Sequence, residues 1–138
     1  MNRLKNFVTV LLLLTLTGCA PIVFLGGAAA GVGGYKYYQG ALDVIYQAPF
    51  EKTYESSVKA AEVLGYSITE RHQKIGSGSI EATDSNSEKI TIKLKYLSSE
   101  ETEVKIRVGV MGDEATSRVI KDKITDIVFA QDSTPDEE

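Results

Sequence analysis

Between Lys89 and Val110 the chain alternates in a way that only a half-buried sheet explains. Ile90, Ile92, Leu94 and Tyr96 fall on one side of an extended backbone, and Lys89, Thr91, Lys93 and Lys95 fall on the other. After a polar turn at 98–101, Val104, Ile106, Val108 and Val110 repeat the pattern opposite Lys105, Arg107 and Gly109. Successive strand residues point to opposite faces, so a period of two gives one face to a core and the other to water. Antiparallel sheets accept that asymmetry, whereas parallel sheets are covered on both faces. Two such runs joined by a short turn predict a hairpin.

The flanking segments fit the same sheet. Ala41–Tyr46 predicts a short strand with Leu42, Val44 and Tyr46 on one face. Ala48-Pro49 stops it and opens a helix, in which Phe50, Tyr54, Val58, Ala61 and Leu64 recur three and four apart up to a terminating Gly65. Tyr66–Glu70 alternates, and Lys74 leads to a turn at Gly76-Ser77-Gly78. Ile80 and Ala82 then alternate with Glu81 and Thr83, and Asp84-Ser85-Asn86-Ser87 makes a further turn. Asp113 is placed to cap a last helix with the apolar stripe Val119, Ile120, Ile124, Ile127 and Val128. The order β-α-β-β-β-β-α predicts an α+β fold: a two-layer sandwich with an antiparallel sheet of four to five strands and two helices on one face.

The folded unit is expected over residues 40–131, with an acidic, disordered tail at 132–138. Ahead of it lies a different kind of chain. Arg3 and Lys5 precede an apolar run from Phe7 to Leu16, then the small pair Thr17-Gly18 and the sole cysteine, Cys19. A basic start, a short apolar core and a small-residue exit describe a secretory signal over residues 1–18. The run is too short to span a bilayer, which takes roughly 20 residues. Residues 20–34 carry no charge and no hydrogen-bonding side chain. Gly27 and Gly31 there have the GxxxG spacing that lets apolar helices pack in lipid. That segment, 19–39 with the tyrosines 35, 37 and 38, reads as a membrane-proximal piece, a flexible tether, or the beginning of the first strand.

Leu16-Thr17-Gly18-Cys19 resembles the lipobox of bacterial lipoproteins. The resemblance implies cleavage before Cys19 and a diacylglycerol thioether on its thiol. Because Ala20 is not the aspartate that retains such proteins at the inner membrane, it also implies an outer-membrane address facing the periplasm. Cleavage would leave 120 residues and, by removing Arg3 and Lys5 but no acid, shift the formal charge from −4 to −6. Net negative charge argues against a nucleic-acid partner, since that affinity comes mostly from phosphate neutralisation. With Cys19 lipidated, the mature protein would form no disulfide.

Thr102-Glu103-Val104-Lys105-Ile106-Arg107-Val108-Gly109, followed by Gly112-Asp113-Glu114 and Ser117, resembles the signature of a family of small Gram-negative outer-membrane lipoproteins of unknown function. The glycine-rich segment and the tyrosines before Gly40 match it as well. The architecture is also similar to helix-grip modules of outer-membrane assembly lipoproteins, a likeness of fold that carries no activity with it.

Residue chemistry gives little for catalysis. His72 is the single histidine, so no zinc cluster or histidine relay can be assembled. The glycine-rich run lacks the Lys-Ser or Lys-Thr that ends a phosphate loop. Asp113 and Glu114 are accounted for by helix capping, and Ser117 by the helix surface or its packing. No enzyme, metal or cofactor is expected. Lys93, Lys95, Lys105 and Arg107 would share the wet face if their strands pair, giving a candidate binding face for anionic lipid, glycan or an acidic protein. The plainer reading balances that face with Glu81 and Glu103 through cross-strand pairs. Two roles remain: a binding or scaffolding module at the cell envelope, or a small-ligand module with a pocket between helices and sheet.

Overall fold

A computed structural model describes Met1 and residues 31–130. The lipobox at Cys19, most of the glycine-rich segment including Gly27, and the tail at 132–138 lie outside the described residues. The chain runs β1 (Val32–Tyr38), β2 (Ala41–Tyr46), α1 (Phe50–Val63), β3 (Ser67–Lys74), β4 (Ser77–Thr83), β5 (Lys89–Ser98), β6 (Glu101–Val108) and α2 (Glu114–Ala130). All strand pairs are antiparallel, in the order β1-β2-β6-β5-β4-β3, and both helices cover one face. The fold is therefore α+β, as the periodicities predict. No helix among the described residues is long and apolar enough to cross a membrane.

The sheet has six strands rather than four or five, because the segment before Gly40 joins it. Val32 pairs with Tyr46, Tyr35 with Val44 and Tyr37 with Leu42, and the register shifts between Val32 and Tyr35. Gly33 and Gly34 sit in that irregularity, with Gly34 at φ +122°. A bulge interrupts the period of two, which hides the strand from a search for alternation. Tyr37 packs against the core. Tyr35 lies under two cations, with the Arg118 guanidinium 5.4 Å and the Lys121 ammonium 4.6 Å from its ring centre.

Between sheet and helices, Leu42, Val44, Ile80, Ile90, Ile92, Val104, Ile106, Ile120, Ile124 and Val128 are closed to solvent. Tyr46 is buried among them and donates its hydroxyl to the Lys121 carbonyl at 2.9 Å, a satisfied polar group in an apolar layer. α1 ends in a Schellman arrangement: Gly65, at φ +78°, donates to Glu62 O, and Tyr66 donates to Ala61 O.

Three residues depart from the expected faces. Gly109 at φ +69° turns the chain out of β6, so Val110 is exposed instead of continuing the buried row. Tyr96 is half-exposed where β5 shifts register before Ser98. On α2 the buried stripe is Ser117, Ile120, Ile124 and Val128, which leaves Val119 facing outward.

Candidate functional site: a basic concavity on the open sheet face

Residues of β3 to β6 that point away from the helices form rows fixed by the register. Lys93 stands directly across from Lys105 on one side and Ser79 on the other. Beyond Lys105 comes Asp43 of β2. In the next row Lys95 faces Glu103 and Ser77, and Ser77 faces Lys74. With His72 these residues surround a concavity of about 560 Å³ whose wall holds four lysines and a single glutamate, Glu103.

The lysines differ in what holds them. The Lys105 ammonium lies 3.2 Å from Asp43 Oδ1, a buried oxygen with no hydrogen bond that depends on this charge partner. Lys74, Lys93 and Lys95 form no ion pair among the described residues. The acids expected to balance them do not. Glu81 pairs with Lys89 at 2.9 Å, and Glu103, although opposite Lys95, makes no ion pair among the described residues. His72 Nε2 lies 2.6 Å from Glu70 Oε1 on the exposed surface.

Lys93, Lys95 and Lys105 thus come together, whereas Arg107 does not join them. Its guanidinium reaches past the end of the sheet and donates to Val110 O at 2.8 Å and Gln39 O at 3.4 Å, tying the β6–α2 loop to the β1–β2 turn. Lys74 and His72 enter the wall instead. Neither is singled out by the periodicity, because their place depends on the β3–β4 register. Cys19, the expected lipidation site, lies outside the described residues. A second concavity, of about 490 Å³ beside Gln47, Pro49, Ser98, Glu100 and Glu101, is acidic. Neither concavity lies between the helices and the sheet.

The motif residues shared with the resembled family have structural duties. The Thr102 hydroxyl, fully buried, donates to Ala48 O at 3.0 Å and fastens the approach to α1. Val104, Ile106 and Val108 fill the core. Gly112, at φ +85°, lies so close to Gly40 that any Cβ would overlap the Gly40 backbone. Asp113 Oδ1 accepts from the Thr116 N–H at 3.1 Å and Oδ2 from the Thr116 hydroxyl at 2.7 Å. These hydrogen bonds hold the Asp113 carboxyl below its ordinary pKa. Glu114 pairs with Arg118 at 2.6 Å, and the buried Ser117 donates to Asp113 O at 2.6 Å. Gly112 is thus placed by its approach to Gly40, Asp113 by capping and Glu114 by its pair with Arg118.

A family model described as "Protein of unknown function (DUF3568)" matches residues 4–127. No curated protein matches the chain.

Proposed function

The chain belongs to the DUF3568 family of proteins of unknown function, and on that premise we propose that it is a lipid-anchored, non-catalytic binding module of the cell envelope. In this reading Cys19 carries the lipid at the periplasmic face of the outer membrane, and the basic open face takes an anionic partner. The anchor is supported by the basic start, the short apolar run and Leu16-Thr17-Gly18-Cys19.

One observation carries the binding role. Lys93 and Lys105 stand directly opposite each other, with Lys95 and Lys74 beside them, in a protein of net charge −4. Like charges opposed across strands destabilise a sheet. Concentrating four lysines in one concavity, only Lys105 of them in an ion pair among the described residues, works against the fold, and it serves a partner of opposite charge.

Binding of the purified full chain to a soluble sulfated dextran tests this. The double variant Lys93→Glu/Lys95→Glu is expected to weaken it by at least about tenfold, since each basic residue near an anionic surface contributes roughly 1 kcal/mol. Lys105 is left alone because it neutralises Asp43. Unchanged affinity would remove the basic face from the account.

A further inference from the structure

The basic concavity continues onto an apolar tip. β3 and β4 are joined by Ile75 and Gly76, and Ile75 is wholly uncovered, at 107% relative exposure. The Tyr96 N–H donates to Gly76 O at 2.9 Å, which brings the end of β5 against this hairpin. Tyr96 and Leu97 are also exposed there. Lys74 directly precedes the tip, Lys95 directly precedes Tyr96, and both line the concavity. We infer that the anionic partner of this face is a phospholipid surface, with Ile75, Tyr96 and Leu97 entering the interface while the lysines meet headgroup phosphates. The inference rests on the reading of the concavity as a site for an anionic partner.

Charge and reach both favour this end of the molecule. A soluble polyanion would engage the lysines but has no use for an uncovered isoleucine. A lipid interface takes both, and tyrosine suits its headgroup level. The opposite end of the sheet exposes more apolar surface, at Tyr38, Val110 and Met111. There, however, Glu88 crowds Gly109, and the Arg107 guanidinium is tied to the loop carbonyls. Among the described residues that end offers an anionic lipid Lys36, on the same strand face as Tyr38, but no cluster to match the four lysines of the concavity.

The length of chain between Cys19 and β1 permits the approach. The chain enters the sheet at β1, on the edge opposite β3, five strand spacings or about 24 Å away. The twelve residue steps from Cys19 to Gly31 can span up to about 40 Å. Glu100 lies in the turn between β5 and β6 and Glu101 opens β6, so the protein meets the surface by its open face and the β3–β4 hairpin rather than end-on.

The sequence contains no tryptophan, so Ile75→Trp is a lone fluorescent reporter at an uncovered position. The full chain carrying it is reconstituted into vesicles with brominated acyl chains, either phosphatidylglycerol-rich or purely phosphatidylcholine. The expected result is blue-shifted, quenched emission in the anionic vesicles, lost when Lys74→Glu/Lys95→Glu is added. Val110→Trp, the control at the other end, should remain unquenched. Quenching of Ile75→Trp no greater than that of Val110→Trp, or quenching that survives the charge reversal, overturns the inference. If quenching is absent while sulfated dextran still binds in a manner that depends on Lys93 and Lys95, the lipid assignment falls and the basic face stands. If both are absent, both readings fall.

Discussion

Replacing Lys93 by glutamate should make the protein more stable, which is an unusual expectation for a point substitution. Lys93 is exposed and lies directly across from Lys105. Cross-strand neighbours of this kind have Cβ atoms about 5 Å apart, and such pairs contribute roughly 0.2–1 kcal/mol, with the sign set by their charges. Lys105 leans toward Asp43, so part of the repulsion is already relieved. The substitution removes what remains and adds an attraction to both Lys105 and Lys95. Allowing for solvent screening, the gain is about 0.5–1 kcal/mol. For a domain of about 100 residues that raises Tm by roughly 2–8 °C. Thermal unfolding followed by circular dichroism at low salt measures it, with Lys93→Gln expected to show about half the effect. In 1 M salt, where the Debye length is about 3 Å, the gain should nearly vanish. A lower Tm for Lys93→Glu, or a gain indifferent to salt, would refute the claim that like charge is held on this face against the interest of the fold.

Tyr46→Phe should lose about 1 kcal/mol near pH 8, because it removes the hydroxyl bonded to Lys121 O. Burial pushes the Tyr46 hydroxyl well above the ordinary tyrosine pKa of 10, against a weaker opposing effect of the Thr125 hydrogen bond. The unfolded chain therefore releases this proton first, and wild-type stability falls by about 1.4 kcal/mol per pH unit once pH rises above about 10. The variant lacks that slope, so urea midpoints of the two proteins should converge or cross near pH 11; a constant gap would count against the buried hydroxyl. Asp113→Ala should lower Tm by uncapping α2, while Asp113→Asn should retain most of the cap. Since the Asp113 carboxyl is held below its ordinary pKa, its ionised form stabilises the fold above about pH 4. The gap between wild type and Asp113→Ala should therefore narrow as pH falls below that value, and a gap that widened would contradict the capping geometry.

Much of the fold is legible wherever burial is periodic. Ile90, Ile92 and Leu94, or Val104, Ile106 and Val108, carry period two because one face of their strands meets helices and the other meets water. β1 escapes that logic. Its glycine bulge breaks the alternation, and as an edge strand it shows mostly half-buried residues. Val110 follows the parity of β6 and is nonetheless exposed, since the positive φ of Gly109 ends the strand one residue earlier. The candidate site divides along similar lines. Lys93, Lys95 and Lys105 are placed by parity and one hairpin. Arg107 has the right parity but a side chain long enough to leave its row for Val110 O. Lys74 joins through β3–β4 pairing, whose register shifts between Ile68 and Glu70, so counting residues does not place it. The motif residues from Thr102 to Ser117 are the most recognisable stretch of the sequence, and they disclose no activity because they cap a helix, close a turn and fill the core.

In the proposed function the polypeptide is held at a membrane through position 19. Intact mass analysis of the protein recovered from its own cells, with sequencing of its first residues, tests that anchoring directly. The expected result is a chain beginning at Cys19 and carrying the added mass of a diacylglycerol thioether and its acyl chains. A chain that retains residues 1–18, or one with an unmodified Cys19 thiol, would contradict it.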